Sequence, residues 1–152
     1  MSHTRIDLLK NHPATTKAMM ALENQLSAGT LPIALKELVK MRVSQINGCA
    51  FCIDLHVGVA RKHGETDRRL HLLAAWREAG VFDARERAAL AWAEALTRLA
   101  GTQDVPDAVY DTVAAQFSEA EIVELSLAVV AINGWNRFQV AFRAQPAGTL
   151  AA

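Results

Sequence analysis

Asn47-Gly48-Cys49-Ala50-Phe51-Cys52-Ile53-Asp54-Leu55-His56 carries both cysteines of this 152-residue chain, three positions apart, with a histidine four positions after the second. At about 100° per residue, Cys49, Cys52 and His56 fall within about 60° of one helix face. Asn47-Gly48 closes a preceding helix, since glycine readily takes the left-handed conformation found there. The segment reads as helix, tight turn, helix, with a dithiol opening the second helix and a base beside it. That is the minimum equipment for thiol redox chemistry.

Working outward, the chain reads as all-α, because no strict apolar/polar alternation is bounded by turn signals. Pro13 fits the first turn of a helix running to about Ser27. Pro32 opens a helix whose stripe is Leu31, Leu35, Leu38, the stem of Arg42, and Ile46. The cysteine helix runs from Cys49 to about His63-Gly64. Thr66 caps the next, which buries Leu70, Leu73, Ala74 and Arg77 and stops at Gly80. Asp83 with Glu86 makes a capping box for a helix that buries Ala89, Trp92, Ala93, Leu96 and Ala100 and ends at Gly101. A short helix follows Pro106. Ser118 with Glu121 makes a second capping box, opening a last helix to about Phe142. That helix is apolar nearly all round from Ile122 to Ile132, which marks it as central or sandwiched at a subunit interface, and Asn133-Gly134 is a candidate kink. Trp76, Trp92 and Trp135 read as core or interface anchors. Residues 1–152 read as one domain, with a loose tail at 145–152.

Half the residues are apolar and about a fifth are charged, a globular composition. Sixteen basic residues balance sixteen acidic ones, so neither nucleic acid nor an anionic membrane is an expected partner. A net charge near zero suits a defined oligomer better than a monomer. The N-terminus lacks the apolar stretch of a signal peptide, and the longest apolar run, Leu127 to Ile132, is too short to span a bilayer. The expected compartment is the cytoplasm, where close cysteines are more often redox-active or metal-bound than permanently cross-linked.

A free thiol has a pKa of roughly 8.5 and is mostly protonated at neutral pH. The unpaired N–H groups of a helix start favour the thiolate, and His56, one turn beyond Cys52, can take its proton. By dipole alone Cys49 is the better stabilised anion; by distance to His56 it is Cys52. Oxidised by a peroxide, one thiol becomes a sulfenic acid and the other condenses with it. Two other readings stay open: inert buried cysteines, and a zinc site built on Cys49, Cys52, His56 and a fourth ligand. A thioredoxin-like domain lacks its surrounding βαβ pattern. No phosphate-binding glycine loop or nucleotide fingerprint is present, and no flavin, haem or nicotinamide cofactor is expected. Glu37, between Lys36 and Lys40, reads by itself as a solvated surface residue, although the turn at Asn47-Gly48 can bring it opposite His56.

Taken together, Glu37, Cys49, Cys52 and His56 resemble the signature of the AhpD-like alkylhydroperoxidases of the carboxymuconolactone decarboxylase superfamily. The run Leu38-Val39-Lys40-Met41-Arg42-Val43-Ser44-Gln45-Ile46 into the cysteines is similar to the same family. So are Ala74-Ala75-Trp76-Arg77-Glu78, Arg85-Glu86-Arg87-Ala88-Ala89-Leu90-Ala91-Trp92 and Ile132-Asn133-Gly134-Trp135-Asn136-Arg137. The resemblance covers a core at about 31–143 and implies an all-helical single-domain bundle, about six to seven helices as read along this chain, assembled as a homotrimer or homohexamer. It implies an organic hydroperoxide substrate, with Cys52 attacking, Cys49 resolving, and His56 and Glu37 relaying protons. It also implies a dithiol reductant, either a dihydrolipoyl group or a small redox protein. Some family members carry a histidine just before the second cysteine; here that position is Phe51, which suits an apolar entrance. The decarboxylase branch of the superfamily, with His56 as base on a carboxylate or lactone, leaves both cysteines without a role.

Overall fold

The computed structural model describes residues 3–148. Helices α1 (Leu8–Asn11) and α2 (Pro13–Ser27) lead into α3 (Ile33–Ile46) and α4 (Ala50–Lys62). A short α5 (Asp67–Leu72) tightens into a 3₁₀ turn at Leu73–Ala75, followed by α6 (Ala84–Thr97) and the one-turn α7 (Leu99–Thr102). Then come α8 (Asp107–Ala114) and the long α9 (Glu119–Phe142). The described residues thus hold nine α-helices rather than six or seven. The excess is in single turns, α1 and α7, whose few residues carry no periodicity to read. Residues 149–152 of the expected tail lie outside the described residues.

Local chemistry explains the helix starts. Asp83 and Ser118 each accept the N–H three residues on, and Glu86 and Glu121 reach back, so both capping boxes are formed. Thr66 accepts from the Arg69 N–H and caps α5. Gly48 has φ 66°, so the turn between α3 and α4 needs a residue without a Cβ penalty.

Helix α3 is the hub, packed against α4, α6 and α9. Leu35, Val39 and Val43 meet Ala89 and Ala93 of α6 and Leu125, Val129 and Ile132 of α9. On its other flank, Leu38 and Met41 join Ala60, Leu70, Leu73, Trp76, Phe82 and Leu90. The expected single stripe on this helix is corrected: burial runs unbroken from Leu35 to Met41, with Lys36, Glu37 and Lys40 buried as well. The expected burial of Ala74 and Arg77 is also corrected, since both are exposed. The 3₁₀ turn, with about three residues per turn, stacks Leu70, Leu73 and Trp76 at i, i+3 spacing and turns those two away. Ala100 is likewise exposed.

Helix α9 continues without a break through Asn133-Gly134. Gly134 serves packing: a Cβ there would lie 2.9 Å from Met19 Cε. In the single chain α9 is not buried all round, because Val123 and Val130 are 65% and 60% exposed. No helix among the described residues is long and apolar enough to cross a membrane.

A carboxylate ties α9 to the entry of α3. Glu124 accepts the Thr30 N–H (2.8 Å), the Leu31 N–H (3.2 Å) and Lys36 Nζ (3.1 Å). Burial pushes its carboxyl up, but these N–H groups and the ammonium hold it below the usual carboxylate range. A Cβ on Gly29 would overlap this carboxylate. Gly29→Ala is expected to destabilise the fold by about 1–3 kcal/mol, since Glu124 cannot retreat without losing its partners. A lower urea midpoint with unchanged m-value would show it; an unchanged midpoint would mean the carboxylate relocates freely.

Candidate functional site

The α3–α4 turn is built to present the cysteines. The Cys49 N–H donates to Ser44 O (3.0 Å), and Asn47 Nδ2 donates to Asn133 Oδ1 and Asn136 Oδ1 of α9, both at 2.9 Å. Asn136 Nδ2 donates to Ser44 Oγ (3.1 Å), and that hydroxyl donates to Lys40 O (2.8 Å). This buried amide network pins the turn to α9. Sequence reasoning did not single it out, because an asparagine at a helix end reads first as a local cap.

Cys49 is the N-cap of α4 rather than part of its first turn, with its sulfur accepting the Cys52 N–H at 3.3 Å. The two cysteines are joined as a disulfide with their Cα atoms 5.3 Å apart, within the span such a bond requires. Both are nearly inaccessible, but they differ in what they face. Both belong to the core cluster that holds Val39, Val43 and Ala89, and only Cys52 also reaches a cavity. Cys52 lies on the wall of a cavity of about 550 Å³, open to solvent on one side and lined from α1, α2, α3, α4 and α9.

The cavity is mainly apolar. Met20, Leu26, Ile33, Phe51, Leu55, Val59, Ile132 and Trp135 supply most of its apolar residues. Phe51 also packs against the core cluster. Polar groups gather beside Cys52. His56 Nδ1 lies 2.6 Å from Glu37 Oε2, and both side chains are buried. The contact fixes the ring orientation and leaves Nε2 as the free ring nitrogen. Glu37 is therefore no surface residue: the turn at Asn47-Gly48 folds α4 back along α3 and sets it against His56. Lys40 Nζ lies 3.8 Å from Glu37 Oε1 and 2.6 Å from Glu23 Oε2, and Glu23 Oε1 accepts Trp135 Nε1 at 3.2 Å.

Cys52, His56 and Glu37 thus share the cavity wall, and Cys49 is joined to them through its bond to Cys52. His63 caps α4 and also lines the cavity; Ser44 is buried behind the turn. Glu23 and Lys40 were missed. Lys40 had a signal in its i+3 spacing from Glu37, whereas Glu23, from a separate helix, had none. Among the described residues, no three of His, Cys, Asp and Glu are grouped to hold a metal ion.

The model of the carboxymuconolactone decarboxylase family matches residues 13–95, which span α2 to α6 and the whole dithiol segment. The chain belongs to this family. The uncharacterized protein YdfG of Bacillus subtilis is 40% identical over 137 residues, covering 90% of this chain and 92% of that one. A crystal structure from Agrobacterium tumefaciens, of a protein of unknown function assigned provisionally to antioxidant defence as AhpD, superposes with a TM-score of 0.92. Its sequence is 43% identical, and the match covers 97% of this chain and 100% of that one. The debrominase Bmp8 shares the fold, with a TM-score of 0.81 at 20% identity over 92% of this chain and 74% of its own. This chain is an all-α AhpD-like bundle carrying a disulfide-forming cysteine pair, the equipment of a redox-active thiol module.

Proposed function

We propose that this protein is a dithiol peroxidase that reduces alkyl and other organic hydroperoxides. One observation carries the proposal: Cys52, and not Cys49, opens into an apolar cavity beside the Glu37–His56 pair. In the reduced protein the Cys52 thiolate attacks the peroxide, forming an S–O bond as the O–O bond breaks. The departing alkoxide takes a proton from His56 and leaves as the alcohol, while Glu37 balances charge on the imidazole. The Cys49 thiol then displaces hydroxide from the Cys52 sulfenic acid. The products are the Cys49–Cys52 disulfide and water. A dithiol donor, a dihydrolipoyl group or a small redox protein, restores both thiols by exchange and is itself left as a disulfide.

The same proposal includes assembly as a homotrimer or homohexamer, for which the exposed Val123 and Val130 on α9 offer an apolar strip. It also includes a cytoplasmic setting, where donors keep thiols reduced.

The test mixes fully reduced protein with one equivalent of cumene hydroperoxide and follows thiol loss and intact mass. Loss of two hydrogens, far faster than a free small-molecule thiol reacts and mapped to a Cys49–Cys52 disulfide, is the expected result. Thiols no faster than the free compound would sink the proposal. Attention would then pass to a carboxylate or lactone substrate with His56 as base, or to a zinc-binding or redox-sensing role without catalysis.

A further inference from the structure

Glu37 and His56 do not stand alone in the cavity. Behind them lies a second pair that the peroxidase scheme above does not use. Lys40 Nζ sits between two carboxylates, 2.6 Å from Glu23 Oε2 and 3.8 Å from Glu37 Oε1. Lys40 is 7% exposed and Glu37 is 6% exposed. Lysine at such burial is rare without a partner, because desolvating its ammonium is expensive. Glu23 is held in turn from α9 by Trp135 Nε1. A chain of contacts therefore runs Trp135, Glu23, Lys40, Glu37, His56 across α9, α2, α3 and α4, ending beside Cys52.

The charges of this chain can be counted. Glu23 and Glu37 contribute two negative charges and Lys40 one positive, so the cluster carries a net −1 while His56 is neutral. Protonating His56 brings it to zero. The other ionisable groups on the cavity wall are Lys36 and His63. Lys36 is already committed to Glu124 and to Leu26 O, and His63 sits at the far end of α4. From α9 the cavity receives Trp135 and Gln139, neither of which ionises, and α1 contributes only Leu9. Lys40 is thus the cation that balances the two carboxylates on the cavity wall.

We propose that Lys40 and Glu23 are positioning residues that set the local charge felt by the Cys52 thiol through the Glu37–His56 pair, with Lys40 orienting Glu37 and countering its charge and Glu23 offsetting Lys40. The inference rests on the dithiol chemistry proposed above, but thiolate formation does not depend on peroxide as the oxidant. Removing Lys40 leaves buried Glu37 and half-buried Glu23 without the cation between them, so nearby groups hold their protons more tightly. Removing the charge of Glu23 leaves Lys40 to Glu37 alone and does the reverse. Opposite shifts from two neighbours in one ion pair are not what a purely structural contact produces.

The experiment measures the pH dependence of alkylation of reduced protein by iodoacetamide, reading Cys52 separately by peptide mass mapping. It compares the wild type with Lys40→Met, Lys40→Arg and Glu23→Gln. Lys40→Met is expected to move the midpoint for Cys52 by about one pH unit or more to the alkaline side, a roughly tenfold slower reaction at a fixed pH below the midpoint. Lys40→Arg keeps the charge and should stay near the wild-type curve. Glu23→Gln should move the midpoint to the acid side. If Lys40→Met fails to fold, the sign of the Glu23→Gln shift decides alone. Coincident curves, or shifts of the same sign for Lys40→Met and Glu23→Gln, overturn the proposal. Cumene hydroperoxide on the same samples separates the two ideas: opposite alkylation shifts without fast peroxide reaction would keep the Lys40–Glu23 device and discard the peroxidase.

Discussion

Cys52→Ser is expected to abolish turnover of organic hydroperoxide, with a loss limited only by the background of the assay. The hydroxyl left in its place has no low-pKa anion to attack with, and Cys49 cannot take over, because Cys52 lines the cavity and Cys49 does not. Cys49→Ser should behave differently. Its Cys52 still reacts once, losing one thiol per chain, and then stalls as a sulfenic acid that a dimedone-type trap labels. A burst of one equivalent without steady turnover is the expected record. The asymmetry comes from the geometry of the turn: Cys49 caps α4 and feeds its sulfur to the Cys52 N–H, so the resolving group waits within bonding range but out of reach of a bulky substrate. Equal, wild-type turnover by both single variants would sink the mechanism, and a burst from Cys52→Ser with none from Cys49→Ser would reverse the two roles.

The parts of this fold that are legible in the sequence are those written in local chemistry. Both capping boxes, the Thr66 cap, Pro13 at a helix start and Gly48 at a helix end act over three or four residues, and the structure forms them where they stand. The grouping of Cys52 and His56 is legible for the same reason, since one helix face relates them, and Cys49 joins them as the N-cap three residues before Cys52. Glu37 is not legible from its neighbours: flanked by Lys36 and Lys40 it reads as surface, and only the resemblance of the whole spaced set points inward. All three prove to be buried, because each lysine finds a carboxylate from another helix, Glu124 on α9 and Glu23 on α2. Such pairings lie 88 and 17 residues apart, and no periodicity reports them. The same applies to Arg77, expected inside from its spacing and found outside. The single turns α1 and α7 fall below the length at which a periodic signal exists.

Glu94 is the residue whose loss should cost the fold most, and its sequence context gives no hint of this. It is 3% exposed. Its Oε1 accepts Trp76 Nε1 at 2.9 Å and Arg42 Nε at 2.7 Å, while its Oε2 accepts Arg77 NH2 at 2.7 Å and Arg98 NH1 at 3.3 Å. One carboxylate therefore joins α3, the segment after α5, and α6. Burial pushes its carboxyl up, but the hydrogen bonds from Trp76, Arg42 and Arg77 and the charge of Arg42 together hold it below the usual carboxylate range. Glu94→Leu leaves the Trp76 N–H without its acceptor and the largely buried Arg42 with Gln45 alone. The expected cost is about 3–5 kcal/mol, the range for breaking a buried pair by removing one partner. Arg77→Ala should cost under about 1 kcal/mol, since that guanidinium is mostly in water. The pH dependence follows from the depressed carboxyl. Its stabilisation is complete above the ordinary glutamate range and is lost as pH falls through the lower folded-state value. The stability gap between wild type and Glu94→Leu, read from urea midpoints, should therefore be constant near neutrality and narrow on acidification. A gap that stays constant down to pH 3 would place the cost in lost packing, and Arg42 and Trp76 would then owe nothing to the charge between them.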